Sequence, residues 1–207
     1  LIPELQENLS DCPNVEIVAG DILEIPLPQK PFSIFSNIPF NITAPIMQKF
    51  LWAKNPPQEA WLIMQQEAAE KFIGDGASTE SSVLFQPWFT FSQAAHINRF
   101  EFRPVPSIHA SLLHMSQRPR PLLEDKHKKA YFQFVTFGFR TWKKNLKIGF
   151  KNVFTYPQWK RLARDNRFAI ESKPNELSLE QWLAIFRYFL VGVAEDKKQA
   201  IMSYQQK

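Results

Sequence analysis

Phe32-Ser33-Ile34-Phe35-Ser36-Asn37-Ile38-Pro39-Phe40-Asn41 decides how the rest of the chain is read. Phe32 to Phe35 is a short apolar run of β-formers and predicts a buried strand. Pro39 ends it, because proline has no N–H for a ladder and biases Ile38 toward an extended backbone. The result is a rigid turn at a strand's C-terminal edge. There the Asn37 amide, the Ile38 carbonyl and the Phe40 ring are expected to face one small volume.

Strand and helix signals alternate on both sides of this turn. Upstream, Val15-Glu16-Ile17-Val18 alternates and predicts a strand, followed by Ala19-Gly20-Asp21-Ile22. A connector punctuated by Pro26, Pro28 and Pro31 leads to the turn. Downstream, Thr43 and Pro45 suggest an N-cap region and an early helical position, and Ile46, Met47, Phe50 and Leu51 recur at helical spacing. Ala60 to Met64 reads as the next buried strand, Gln65 to Phe72 as a helix, Ser81 to Phe91 as a helix running into a strand, and Ile108 to Ser116 as a last strand. This is an α/β pattern, and ligands of doubly wound sheets sit beyond the strands' C-terminal ends.

The Asn37–Phe40 group suits a planar base bearing an exocyclic amine. The lone pair of such an amine is delocalised into the ring, so the nitrogen is a poor nucleophile. Two acceptors, the Asn37 side-chain oxygen and the Ile38 carbonyl, can take its two hydrogens and bias it toward tetrahedral geometry. Phe40 can stack on the ring, a contact worth roughly 1–3 kcal/mol per base. Taken alone, the four residues read equally as an ordinary Asn-Pro turn before a helix, with Phe40 in the core.

Asn37-Ile38-Pro39-Phe40 resembles the Asn-(Ile/Leu/Pro)-Pro-(Tyr/Phe) motif of adenine-N6 methyltransferases. Nearly the whole chain resembles the ribosomal RNA adenine dimethyltransferases, and within them the macrolide–lincosamide–streptogramin B resistance branch. The resemblance implies a Rossmann-like methyltransferase sheet followed by a small all-α domain, and S-adenosylmethionine as methyl donor. It gives Asn37, Ile38, Pro39 and Phe40 the catalytic place, and Asp21, Ile22 and Asn37 the cofactor's adenine. Asp21 would accept from the adenine amine and the Ile22 N–H would meet a ring nitrogen; as a residue type, Asp21 also suits an ordinary turn or cap. Arg99-Phe100-Glu101-Phe102-Arg103-Pro104-Val105-Pro106 is similar to the family's Phe-x-Pro-x-Pro segment, and implies that Phe102 covers the opposite face of a base clasped by Phe40. Two-sided pockets of this kind hold bases drawn out of their stack. Without Phe40, Phe102 would read as a core plug. The family also places a glycine-rich loop and an acidic ribose ligand ahead of this region. No glycine precedes Gly20, so the sequence reads as N-terminally truncated, with weak cofactor binding expected.

Composition bounds the remaining readings. The chain has 207 residues, 44% of them apolar and 14% aromatic, enough for a folded α/β domain with an appendage. The single Cys12 excludes an internal disulfide framework and fits a reducing compartment; with no spanning segment or signal peptide visible, the expectation is cytoplasmic. Four scattered histidines, His96, His109, His114 and His127, lack ligand spacing, so no metal site is expected. No serine sits in a nucleophile elbow either.

Charge divides the chain in two. Residues 1–121 carry 8 Lys and Arg against 12 Asp and Glu, a net of −4, and residues 122–207 carry 17 against 8, a net of +9. Arg118-Pro119-Arg120-Pro121 is a stiff linker between a partial Rossmann-like domain, 1–121, and a basic helical domain, 122–207. Tyr131, Phe132, Val135, Phe139 and Trp142 recur at helical spacing and read as core. A basic lobe suggests a polyanionic partner. Arg103, Lys143, Lys144, Lys147, Lys151, Lys160, Arg161 and Arg164 are the RNA-binding candidates, although such residues also cover solvated helices. Relatives are often basic where this chain has Glu70 and the Gly74–Glu80 loop, a departure that bears on which RNA is bound.

The expected reaction is therefore N6-methylation, single or double, of a 23S ribosomal RNA adenine by a monomer, conferring macrolide resistance. Phe154-Thr155-Tyr156-Pro157-Gln158-Trp159 and Leu177-Ser178-Leu179-Glu180-Gln181-Trp182 resemble the resistance branch. Lys143-Lys144-Asn145-Leu146 echoes the small-subunit 16S dimethyltransferases instead. A non-catalytic RNA-binding module is the alternative of another class.

Overall fold

Strands Ser33–Asn37 (β1), Glu59–Gln65 (β2), Phe89–Ile97 (β3) and Ala110–Gln117 (β4) form one mixed sheet in the order β1-β2-β4-β3. This is a computed structural model, and it describes residues 2–203 except Pro104 and Pro106. β1 runs parallel to β2, while β4 lies antiparallel to both β2 and β3. Between the strands come helices Thr43–Leu51 (α2), Gln66–Ile73 (α3) and Glu80–Phe85 (α4); Ile2–Asn8 (α1) precedes them and buries none of its residues.

One face of the sheet is closed. Ala60, Leu62 and Met64 of β2 and Leu113 and Met115 of β4 are all fully buried, joined by Ile46, Met47, Phe50 and Leu51 of α2. The period of two along β2 is the sequence alternation made visible. The opposite face carries Phe35, Trp61 and His114, register neighbours across β1, β2 and β4. Trp61 stacks on His114 at 4.7 Å, but Phe35 stays 75% exposed.

Two expectations fail here. The run at Phe32–Phe35 is not a buried strand: the strand is Ser33–Asn37, at the sheet margin, and the pleat sends Ile34 inward and Phe35 outward. Val15–Val18 forms no strand, and Val15 and Val18 are 44% and 58% exposed. An alternating run becomes a strand only through ladder bonds, and no described residue offers it a ladder. Asp21 thus does not follow a strand end. Thr43 is also the first residue of α2, not its cap; Ile42 holds that position.

After Gln117 the chain is helical: Lys128–Thr141 (α5), Leu146–Gly149 (α6), Tyr156–Asp165 (α7), Leu179–Gly192 (α8) and Glu195–Met202 (α9). Their core is aromatic, with Phe134, Phe150, Trp159, Trp182, Phe186 and Phe189 each at most 1% exposed. Tyr131, Phe132 and Val135 are buried as expected, and Phe139 and Trp142 half-buried. The two buried indoles find acceptors, Trp159 Nε1 donating to the Ile170 carbonyl at 3.0 Å and Trp182 Nε1 to that of Pro174 at 3.1 Å. Thr155 and Ser178 cap α7 and α8 with reciprocal partners Gln158 and Gln181. The two segments that resemble the resistance branch are thus helix starts, each delivering a tryptophan to the core one residue after its glutamine.

α5 docks on the sheet domain through α4. The buried Tyr131 hydroxyl donates to the Val83 carbonyl at 3.0 Å, and its ring meets Trp88 and Phe186 edge-on. Arg118 Nε donates to the Gln86 carbonyl at 2.7 Å, which ties this arginine to the end of α4.

Candidate active site

The turn after β1 is held from three sides. Asn37 pairs with Ile63, and the Ile38 N–H donates to the Ile63 carbonyl at 2.9 Å, extending the ladder one residue past the strand. Ile38 as a whole residue is 1% exposed, and its side chain belongs to the core. Pro39, at φ −58° and ψ 126°, then turns the chain into the 3-10 segment Phe40–Ile42, and its carbonyl accepts the Ile42 N–H at 3.1 Å. The Thr43 hydroxyl donates to the Phe40 carbonyl at 3.3 Å, fastening the corner to the start of α2.

What remains free is what the chemistry asks for. Asn37 is exposed, and no described residue bonds its side chain or the Ile38 carbonyl. Phe40 is half-buried and makes no close ring pair among the described residues. Asn37 thus presents an exposed amide and Phe40 a half-buried ring three residues on, with the buried Ile38 between them.

The second aromatic is placed by a short 3-10 turn, Arg99–Glu101, capped by the Asn98 side chain, which accepts from the Phe100 N–H at 3.2 Å. Phe102 follows it, half-buried, with Arg103 exposed beside it. Pro104 and Pro106, expected to stiffen this loop, lie outside the described residues.

Asp21 sits in a tight turn. Its carboxylate accepts from the Leu23 N–H at 2.8 Å, and its carbonyl accepts from Glu24 and Ile25 at 2.9 and 3.0 Å. One carboxylate oxygen is left over, and the Ile22 N–H has no partner among the described residues. These groups fit the edge of an adenine. No described group has been placed against a ribose or a methionine.

A residue that the sequence reading missed joins this turn to the corner. Lys49 of α2 sends its ammonium to three carbonyls, those of Ile22 at 2.7 Å, Leu23 at 3.0 Å and Ile25. The helix that starts at the Pro39 corner therefore also grips the Asp21–Ile25 turn. The available signal was a lone lysine inside the apolar stripe Ile46-Met47-Phe50-Leu51; a half-buried cation needs acceptors.

In the helical lobe, Lys143, Lys144, Lys151 and Lys160 are exposed without ion-pair partners among the described residues. Lys147 is tied to Glu171. Arg161 and Arg164 share Asp165, at 3.3 and 2.9 Å, and the hydrogen bond from Arg164 leads in holding that carboxyl below its ordinary range. Three of the expected RNA contacts thus begin partly neutralised. Among the described residues no three His, Cys, Asp or Glu side chains form a metal-sized group, and no helix is long and apolar enough to cross a membrane.

Comparison with known proteins converges on one group. The family model described as ribosomal RNA adenine dimethylase matches residues 1–190. The rRNA adenine N-6-methyltransferase of Aeromicrobium erythreum is 30% identical over 196 residues, covering 90% of this chain and 55% of that protein. The ribosomal RNA small subunit methyltransferase A of Streptococcus uberis is 30% identical over 151 residues, 67% of this chain and 52% of that protein. The chain spans about half the length of these curated relatives. Among solved structures, the 23S rRNA methyltransferase ErmE superposes with a TM-score of 0.82 at 26% identity, covering 90% of this chain and 77% of ErmE.

Proposed function

The chain belongs to the ribosomal RNA adenine dimethylase family, and from that premise we propose that it carries the base-handling part of an adenine-N6 methyltransferase, with 23S ribosomal RNA as substrate and S-adenosylmethionine as methyl donor. One observation carries the reading: no described residue bonds the Asn37 side chain or the Ile38 carbonyl, on a corner whose Ile38 N–H, Pro39 carbonyl and Phe40 carbonyl all have partners.

The donor supplies an electrophilic methyl on a good leaving group, so no covalent nucleophile is needed. The protein's work is positioning and electrostatics. Asn37 Oδ1 and the Ile38 carbonyl each accept one N6 hydrogen, which localises the nitrogen lone pair and aims it. Bound beside the corner, the donor would supply a methyl whose C–S bond breaks as the C–N bond to N6 forms; both oxygens would then stabilise the positive charge on N6 until its surplus proton passes to water. Phe40 and Phe102 grip the two faces of the base. Asp21 and the Ile22 N–H hold the donor's adenine, kept in register with the corner by Lys49. We place the domain boundary at residues 121/122, where strands give way to helices, and assign RNA phosphates to Arg103 and the lobe's Lys143, Lys144, Lys151 and Lys160, with Lys147, Arg161 and Arg164 in support. Such binding is strongly salt-dependent. The protein is taken to act as a cytoplasmic monomer.

The 23S reading draws on the superposition with ErmE; the S. uberis relative supports a 16S alternative. Transfer of labelled methyl to 23S and 16S RNA, with wild type and Asn37→Ala, tests both, and growth of an expressing host on a macrolide separates them. Labelling of 23S adenine that Asn37→Ala abolishes is expected. Labelling undiminished by that change would remove the proposed catalytic centre, and RNA binding without any transfer would leave a binding module.

A further inference from the structure

Between α2, α4 and α5 runs a cleft of about 590 Å³ that the reaction described above leaves unused. Its floor is apolar, made by Leu51, Phe85 and Phe132. Trp52 stands at its edge, 51% exposed, tilted against Phe132 at 4.2 Å and edge-on to Phe85 at 6.0 Å. The packing fixes the indole from behind and leaves the rest of it open.

The facing wall is polar. Lys129 and Arg140 lie eleven residues apart on α5, three helical turns along one face. Lys129 is exposed with no ion-pair partner among the described residues. Arg140 is held only loosely, its Nε 3.6 Å from Glu80 Oε1. A fixed aromatic plate opposite two available cations is the arrangement that single-stranded nucleic acid uses, bases on rings and phosphates on cations. Arg140 already answers Glu80, a carboxylate that lines the same cleft, so a purely apolar ligand would leave Lys129 without a role.

The cleft begins one residue beyond the corner. Ala44, at its near end, follows Thr43, whose hydroxyl bonds the Phe40 carbonyl. From Ala44 to Trp52, α2 and its cap advance about 12 Å, a distance spanned by a short run of unpaired RNA.

We propose that this cleft is a second nucleotide subsite, taking an unpaired nucleotide close to the target adenine, with its base on Trp52 and the phosphates on its two sides reaching Lys129 and Arg140 separately. This rests on the RNA reading above. It would make an unpaired flank, rather than the adenine alone, part of what is recognised.

The test is fluorescence anisotropy with a labelled RNA hairpin whose loop presents one adenine, and with versions carrying an abasic nucleotide at each loop position in turn. The expected result is that one abasic position near the adenine weakens wild-type binding about tenfold. Trp52→Phe should behave like wild type. Trp52→Leu, which keeps bulk but loses the aromatic face, should bind intact RNA about tenfold more weakly and no longer sense that abasic position. Thermal melting checks that each variant folds. Lys129→Gln should lower the slope of log affinity against log salt by about one. An abasic penalty equal in wild type and Trp52→Leu, or absent at every loop position, overturns the subsite while leaving RNA binding intact. A wild type that binds none of the RNAs overturns both readings.

Discussion

Tyr131→Phe removes one hydroxyl from the junction between sheet and helical lobe, and its cost can be worked out. The hydroxyl is the donor to the Val83 carbonyl. That carbonyl has no helical partner, because the residue four positions on is Pro87, which lacks an N–H. Phenylalanine keeps the ring contacts with Trp88 and Phe186 at 5.8 and 5.0 Å, so no cavity opens. What is lost is one buried hydrogen bond with an acceptor left bare, about 1–2 kcal/mol. In a chain of this size that lowers Tm by about 2–8 °C. The same tyrosine sets a pH dependence. Burial, outweighing the nearby Arg187, pushes its phenol well above the ordinary value of 10.0. Above pH ~10 the unfolded phenol releases its proton while the folded one keeps it, so the unfolded state binds fewer protons and stability falls. The slope is about 1.4 kcal/mol per pH unit. The variant has no phenol at this position, and the other three tyrosines cancel in the difference. The wild-type advantage, full at neutral pH, should therefore vanish near pH ~11. Urea unfolding of both proteins from pH 7 to 11, followed by circular dichroism, measures it. Equal stability at pH 7, or a gap that stays constant through pH 11, would refute the reasoning.

Phe40→Ala should reduce methyl transfer at least tenfold, as expected for a lost stacking contact, whereas Phe40→Tyr should stay within a few-fold; equal rates in the two variants would contradict a stacking role. Lys49→Met should speed hydrogen exchange at the Glu24 and Ile25 amides, which donate to the Asp21 carbonyl, by roughly tenfold with little change elsewhere, since charge-assisted bonds of this type contribute about 1.5–3 kcal/mol. Unchanged exchange there would mean that the lysine does not hold the turn. Gly74 and Gly76 both adopt positive φ, +68° and +77°, but a Cβ at Gly74 would lie 2.7 Å from the capping Ser82 hydroxyl, while one at Gly76 would meet nothing within 4 Å. Thermal melts should show Gly74→Ala costing about 1 kcal/mol more than Gly76→Ala; matched losses would argue against the clash.

The corner itself was legible because it is local. Proline at 39 stops the strand wherever the sheet lies, and the apolar spacing of Ile46, Met47, Phe50 and Leu51 specifies a helix that has to pack back onto β2. The amphipathic helices of the lobe were readable on the same ground. What could not be read depends on partners distant in sequence. Val15–Val18 has the alternation of a strand, yet a strand is a property of two chains, and the alternation says nothing about whether a neighbour is present. Phe35 looks like core because it is apolar, but only the pleat's parity assigns it to the open face. Lys49 binds carbonyls 24–27 residues away, and backbone acceptors leave no mark on composition. Lys147 counted as a free cation until the fold brought Glu171 to it, whereas Asp165, next to Arg164 and four residues after Arg161, was a partner that the sequence already offered.

The division of labour at residue 38 has an evolutionary corollary. Its side chain answers to the hydrophobic interior while its oxygen is the atom proposed for the base, and the two obligations are separable. Any apolar residue of similar volume can drift in at this site without touching the oxygen, since every amino acid brings the same carbonyl. Mutational loss of chemistry must then concentrate on the neighbours at 37 and 40, whose contributions are written in side chains and can be erased by a single codon change.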